Sequence, residues 1–157
     1  MAVRAYAPQR PEHVDDGVEA VADIQEALAG ADLVMLCTSA ADDVIDPRNL
    51  APGVVVTSIS TNAPGAREIP PAAVPDIEVY VDARTTLDVA TELVQAAASG
   101  WDPAAVRGDL TDLVADKAQL PSGQRPVYFR SVGLGIEDAA VAWAAYEYDN
   151  EITEGRS

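Results

Sequence analysis

Short apolar runs and helical stripes alternate along this chain. The β-branched run Val54-Val55-Val56 follows Pro52-Gly53 and precedes a polar, Pro/Gly-rich segment, which predicts a buried strand over residues 54–59 opening into a loop. Leu33-Val34-Met35-Leu36-Cys37 is continuously apolar, as in a strand covered on both faces. Residues 77–81 and 127–129 predict two further strands, and residues 3–6 and 18–21 two short ones. Helical patterns lie between them. Asp23 can N-cap a helix over residues 24–29, with Glu26 at the capping-box position and Gly30 as its stop. Leu87, Ala90, Val94 and Ala97 give one apolar face to a helix over residues 86–98. Residues 101–117 read as short helical pieces around Pro103 and over residues 110–114. After a tight turn at residues 131–135, Glu137 and Asp138 occupy the first turn of a closing helix, where negative charge is favoured. Ile136, Ala140, Trp143 and Ala144 are its expected packing face, and residues 149–157 a frayed polar tail.

Strands alternating with helices predict one α/β domain over residues 1–148, built on a parallel sheet. In such sheets ligands bind beyond the carboxyl ends of the strands. The exits Thr38-Ser39 and Ser60-Thr61-Asn62 would lie side by side at that edge, where a nucleotide would bind. The plainer reading of the second exit is a strand followed by a Pro-Gly turn.

Composition adds constraints. At 157 residues and 48% hydrophobic content the chain can bury a core. Its 26 acidic residues against 10 basic ones give a net charge of −16, and Lys117 is the only lysine among the basic ones. Such a surface repels phosphate and disfavours nucleic acid and anionic membranes. The single cysteine, Cys37, excludes an intrachain disulfide and a multi-cysteine zinc site, and its apolar surroundings predict a buried, inert thiol. The single histidine, His13, excludes a histidine-rich metal cluster and reads as a surface residue; no metal site is expected. No apolar stretch approaches the ~18–20 residues of a membrane span, and residues 1–6 lack a signal-peptide layout, so a soluble cytoplasmic protein is expected.

The glycine fingerprint G-x-G-x-x-G, which brings backbone and a helix N-terminus to a pyrophosphate, does not occur. Gly133-x-Gly135 is a fragment of it, but Glu137 and Asp138 would repel phosphate there, so it reads as a structural turn. A P-loop, a metalloprotease motif and a G-x-S-x-G elbow are also missing, and Asp42-Asp43 reads as a solvated loop.

Other motifs occur in a recognisable order: Ala31-Asp32-Leu33-Val34, Thr38-Ser39, S-T-N-A-P-G-A-R-E over residues 60–68, Val81-Asp82, Thr91-Glu92-Leu93, and F-R-S-V-G-L-G-I-E-D over residues 129–138. Across residues 31–148 the chain resembles the ornithine cyclodeaminase/μ-crystallin family, with wording nearest the 1-pyrroline-2-carboxylate reductase branch. The resemblance implies a Rossmann-like domain, NAD or NADP as cofactor, a cyclic imino acid or amino acid as substrate, and a homodimer. It implies cyclic-imine reduction, with ornithine cyclodeamination as the alternative. By position, Thr38 resembles the residue lining the nicotinamide ribose, and Ile59, Ser60, Thr61 and Asn62 the loop contacting the nicotinamide. Ser131 and Val132 resemble the pair closing the pocket over nicotinamide and substrate. In cyclodeaminases an aspartate acting as acid/base stands where this chain has Asn62. An amide does not exchange a proton at neutral pH, which argues against cyclodeamination. Asn62 can still orient substrate or cofactor by hydrogen bonds.

The resemblance departs at the start. Family members carry a substrate-binding and dimerisation region, then the first strand and glycine-rich turn, whereas residues 3–6 resemble the second strand. The expectation is an incomplete Rossmann-like sheet lacking its first strand, which is central in the order 3-2-1-4-5-6. A gap would follow, unless residues 3–6 or 18–21 move beside residues 33–37. Arg10, just past residues 3–6, could pair with a 2′-phosphate and so favour NADP, but with the flanking helix missing the reading preferred is a plain surface arginine. A truncated member inactive alone, half of a split enzyme, and a non-catalytic binding module are the three resulting expectations. The charge generates a test. Salt screens like-charge repulsion between surface carboxylates. A net charge of −16 is compatible with a high-salt cytoplasm, where excess carboxylates keep a protein hydrated, so the urea midpoint is expected to rise between low and molar salt; an unchanged midpoint would sink that reading.

Overall fold

The computed structural model describes residues 2–9, 14–59 and 65–154, with side chains of the last helix described to residue 149. Strands β1 (Val3–Ala5) and β2 (Val18–Ala20) form a two-stranded parallel sheet. Helix α1 (Ile24–Leu28) leads into β3 (Leu33–Leu36), and β4 (Val55–Ser58) and β5 (Glu78–Val81) follow. Then come α2 (Thr91–Ala98), β6 (Gly108–Asp109), α3 (Leu110–Val114), β7 (Val127–Arg130) and α4 (Gly135–Glu154). The larger sheet has the order β3-β4-β7-β5-β6, every pair parallel. The last strand in sequence is therefore inserted at the centre. Its register, Ser58↔Arg130↔Val81, brings three carboxyl ends level.

The core forms where strand residues meet the helices and 3₁₀ turns beside them. Val56, Ile69, Val74, Val81 and Tyr128 are fully buried, with Leu93 of α2 packed among them. All four residues of β5 are buried, as expected of a strand covered on both faces. β3 departs from that expectation. Val34 and Leu36 are buried, but Leu33 is 53% exposed and Met35 62%. Cys37 is likewise exposed rather than buried. The cause is shared: β3 is an edge strand and one face of it is uncovered. Neither β1 nor β2 pairs with β3, so the expected incomplete Rossmann-like α/β sheet is present, and among the described residues no strand takes the first-strand position.

Three helical expectations need correction. The segment expected as one helix over residues 86–98 divides into a 3₁₀ turn at Arg84–Asp88 and α2 from Thr91. The Thr86 hydroxyl is bonded to Asp82, which fixes the 3₁₀ turn and separates it from the helix. Starting later, α2 buries Glu92, Leu93 and Ala96 while Val94 is exposed, so the packing face differs from the one expected. The closing helix extends over Gly135–Glu154, with no glycine or proline interrupting it between Gly135 and Gly155. Its expected packing face is solvent-exposed: Ile136 is 74% and Trp143 62% accessible. β6 was not anticipated. Its Gly108 lies so close to Ala118 that an added Cβ would come within 2.6 Å of the alanine side chain.

No helix among the described residues is long and apolar enough to cross a membrane. Leu93→Ala is expected to destabilise the chain by about 2–5 kcal/mol in urea unfolding. The same truncation at Val114, which is 90% exposed, should stay within about 0.5 kcal/mol.

Candidate functional site

The carboxyl edge of the sheet is built around two buried carboxylates. Glu68, fully buried, lies ten residues after the end of β4. Its Oε1 accepts from the Thr38 N–H at 2.9 Å and the Thr38 hydroxyl at 2.7 Å, and its Oε2 from the Ser58 hydroxyl at 2.6 Å. It thus joins the exit of β3 to the end of β4. The Glu68 carbonyl also accepts from Val44 and Ile45 N–H, which pins the strand-exit loop after β3.

Asp82, at the end of β5, makes the second junction. Its Oδ1 accepts from the Thr86 hydroxyl and from the Ala83 N–H at 2.8 Å. Its Oδ2 accepts from the Ser131 hydroxyl at 2.9 Å, Val132 N–H at 2.8 Å and Gly133 N–H at 3.2 Å. Gly133 has φ +76, a conformation that glycine adopts without a Cβ clash, and this lets successive N–H groups turn onto one carboxylate. Burial alone would raise the Asp82 carboxyl. The hydrogen bonds from Thr86, Val132, Ser131 and Ala83 outweigh it and hold the group below the ordinary aspartate range.

A third group stands behind these two. Arg130 and Glu92 are both essentially buried and meet at 2.8 Å, and the Tyr128 hydroxyl donates to the same Glu92 oxygen at 2.8 Å. Burial, with the Glu92 charge beside it, pushes the Tyr128 phenol well above its ordinary value. Arg130 also donates to the Ser131 carbonyl at 2.5 Å. The network ties α2 to β7 directly beneath the turn at residues 131–133.

Of the residues singled out from sequence, Thr38, Ile59, Ser131 and Val132 come together at this edge. Ile59 is 57% exposed and its N–H is bonded to the Leu36 carbonyl. The Ser131 N–H is bonded to the Ser58 carbonyl at 2.9 Å, so the 131–133 turn sits beside Ile59. The Thr38 and Ser131 hydroxyls are both turned onto buried carboxylates. Val132 is half-buried against the core. Ser60, Thr61 and Asn62 lie outside the described residues, as do Arg10 and His13. Glu68, Asp82 and Glu92 were legible only as letters in the motifs. The signal that marks them is an acidic residue directly beside core apolar positions, as in Glu68-Ile69 and Glu92-Leu93. Asp42 and Asp43 pair with Arg67, and no group of three or more His, Cys, Asp or Glu among the described residues is arranged to hold a metal.

Fold and edge together define a Rossmann-like parallel α/β domain whose polar strand ends converge at the carboxyl side. The chain belongs to the ornithine cyclodeaminase/mu-crystallin family, whose model matches residues 3–152. It is 49% identical over 135 residues to the NAD(P)H-dependent anabolic L-arginine dehydrogenase of Pseudomonas aeruginosa, covering 85% of this chain and 43% of that enzyme. Among solved structures it resembles the Δ1-pyrroline-2-carboxylate reductase of Thermococcus litoralis, a complex with NADH and L-proline. The TM-score is 0.77 at 25% identity, over 87% of this chain and 43% of that one. It also resembles the probable ornithine cyclodeaminase of Bordetella pertussis, with a TM-score of 0.72 at 33% identity, over 83% of this chain and 43% of that one. The chain therefore spans less than half the length of the relatives it matches.

Asp82→Asn replaces an acceptor of five hydrogen bonds by a group with one acceptor oxygen. It is expected to cost about 2–3 kcal/mol at neutral pH. The Asp82 carboxyl is lowered on folding, so its stabilisation is present above the unfolded aspartate value of about 3.9 and is lost as pH falls through the folded value. Urea midpoints of wild type and variant should therefore converge as pH falls below that range. A constant gap down to acid pH would show that the Asp82 charge does not hold the turn.

Proposed function

We propose that this chain supplies the nicotinamide-facing half of an NAD(P)-dependent reductase that interconverts an imino acid and an amino acid. The observation that carries it is the joined polar edge, Thr38–Glu68–Ser58 and Asp82–Ser131, in a chain whose family match spans residues 3–152. A nicotinamide dinucleotide bound there would supply a hydride. The residues fit the nicotinamide end of such a group. Ile59 presents an exposed apolar side chain to a flat ring, and the 131–133 turn beside it is locked by Asp82. A G-x-G-x-x-G turn for the pyrophosphate end does not occur within residues 1–157.

Reduction of a C=N bond also needs a proton. Glu68 and Asp82 are buried and each accepts several hydrogen bonds, so neither is placed to release one. Asn62 cannot donate one as an acid. We therefore take the substrate as an iminium that arrives protonated, with Asn62 orienting it and Val132 packing over it. The likeness to an L-arginine dehydrogenase brings linear α-imino acids into the substrate class beside cyclic ones. Cyclodeamination is the second reading, favoured by the 33% identity to a probable ornithine cyclodeaminase and opposed by the amide at position 62. Arg10 as the partner of a 2′-phosphate remains part of the proposal for NADP.

The test is a chimera in which this chain replaces the matched 135-residue segment of the P. aeruginosa dehydrogenase. The chimera is expected to bind NADH or NADPH, seen in nicotinamide fluorescence, and to oxidise it when an α-imino acid is added. The isolated chain should bind either dinucleotide far more weakly. A folded chimera without dinucleotide binding would refute the reading, and ammonia release from ornithine would favour the cyclodeaminase.

A further inference from the structure

One cavity of about 650 Å³ shares none of its lining with the edge residues Thr38, Ser58, Ile59 and Ser131. It opens between the C-terminal half of α1 and the crossover that carries the chain from β3 to β4. Its volume is that of a small-molecule site. Its floor is apolar. Leu28 and Ala31 from one side meet Ile45, Leu50 and Val54 from the other, and all five belong to the hydrophobic core or pack against it.

The rim is charged, and two of its charges are only partly spent. Arg48 lies in the 3₁₀ turn Pro47–Asn49, next to its capping residue Asp46. It closes a bidentate pair with that carboxylate, Nε at 2.9 Å from Oδ1 and Nη2 at 2.6 Å from Oδ2. Nη1 is left over: the next carboxylate, Asp76, stands 4.0 Å from it, beyond hydrogen-bond reach. Asp43 accepts from Arg67 Nε through Oδ1 at 2.6 Å and keeps Oδ2 without a donor among the described residues. The side-chain amides of Gln25 and Asn49 also line the cavity without a partner among the described residues. A simple anion entering here meets Asp43, and a simple cation meets Arg48. A zwitterion satisfies both, and the floor takes an apolar substituent. The wall is also the segment that Glu68 pins. Its carbonyl accepts from Val44 N–H at 2.8 Å and Ile45 N–H at 3.2 Å, and Pro70, two residues further on, lines the cavity. The carboxylate of the same Glu68 holds Thr38 and Ser58.

We propose that this cavity binds a free α-amino acid with an apolar side chain. Arg48 Nη1 donates to the ligand carboxylate, Asp43 Oδ2 accepts from its ammonium, and the side chain lies on the floor between Leu28 and Val54. No existing ion pair has to break, because each charged group uses an atom that the chain leaves over. A ligand held there orders residues 43–46, and through Glu68 it orders the exit of β3 and the end of β4. Binding at the cavity and dinucleotide binding at the edge are then linked, each changing the other's affinity by the same factor. The site itself stands apart from the reductase reading; its meaning as control of that edge by an amino acid rests on it.

The probe is L-leucine, titrated calorimetrically into the full chain beside three analogues: isopentylamine, which lacks the carboxylate, N-acetyl-L-leucine, which lacks the ammonium, and glycine, which lacks the side chain. L-Leucine is expected to give a saturable heat below about 1 mM, and each analogue to bind about tenfold or more weakly. Amide exchange at Val44, Ile45 and Thr38 should slow by about threefold or more with L-leucine present. Arg48→Gln should weaken L-leucine about tenfold with the unfolding midpoint near wild type, since its partner is a surface carboxylate. Should that variant not fold, the analogue series on the wild type decides. No heat and no protection at about 10 mM L-leucine would overturn the proposal, and so would isopentylamine or N-acetyl-L-leucine binding as well as L-leucine. In the chimera, L-leucine should shift NADH affinity, and Arg48→Gln should remove the shift, which separates this cavity from product binding at the edge. L-Leucine bound by the chain while the chimera binds no NADH would remove the reductase reading and keep the site. NADH bound by the chimera while the chain ignores L-leucine would do the reverse.

Discussion

Five hydrogen bonds converge on Asp82, and the order of the sheet's carboxyl edge depends on them. The carboxylate sits where β5 ends, and its donors come from the 3₁₀ turn just after it and from the turn that follows β7. Those two segments are about fifty residues apart in sequence. Strand β7 must enter the middle of an already long chain, between β4 and β5. Its backbone pairing would be satisfied by any register that keeps its apolar residues inside. Asp82 selects the one in which the 131–133 turn meets the end of β5.

Glu68 performs the same office one strand further over, and the two carboxylates differ in what they leave free. Around Glu68 the donors are two hydroxyls and one backbone N–H, from Thr38 in the exit of β3 and Ser58 at the end of β4. Around Asp82 three are backbone N–H groups. Both leave the edge polar without leaving a charge exposed to it. A buried carboxylate saturated by neutral donors shapes a site without serving as its acid. Under the proposed reductase reading, the substrate would therefore have to bring its own proton. Behind them, Arg130 and Glu92 place a buried ion pair under the turn. Such a pair adds little net stability but is costly to break, so it resists sliding of α2 against β7.

Most strands were legible because a buried parallel strand writes itself as a compact apolar run. Residues 54–59, 77–81 and 127–129 are cases of that rule. The strand order was not legible, because β7 carries no mark that distinguishes a central insertion from an added edge. β6 escaped because it has two residues, one of them the glycine pressed against Ala118. The helix faces failed for a physical reason too. Periodicity assigned a face to α4, but a face is buried only when another element lies against it, and Trp143 stays exposed with its ring contact made to Tyr146 of the same helix. In α2, sequence placed the start five residues early because Thr86, whose hydroxyl answers to Asp82 in the folded chain, looks locally like a helix residue. The site was legible as motifs and not as roles. Thr38, Ser131 and Val132 stood out by position, whereas Glu68 and Asp82, on which their placement depends, were marked only by standing beside the apolar residues Ile69 and Val81.

The exposed residues of β3 follow from the same logic as the buried ones. An apolar run of five residues predicts cover on both faces, and here the prediction fails on alternate residues only: Val34 and Leu36 are inside, Leu33 and Met35 outside. A solvated edge strand would be expected to place polar residues on its open face and to blunt its free edge with charge. β3 does neither, and Cys37 continues the apolar character past its end. The sequence of β3 is therefore that of an interior strand occupying an edge position. β1 is too short to blunt anything, and the arginine at its centre grips α1 instead of shielding the edge.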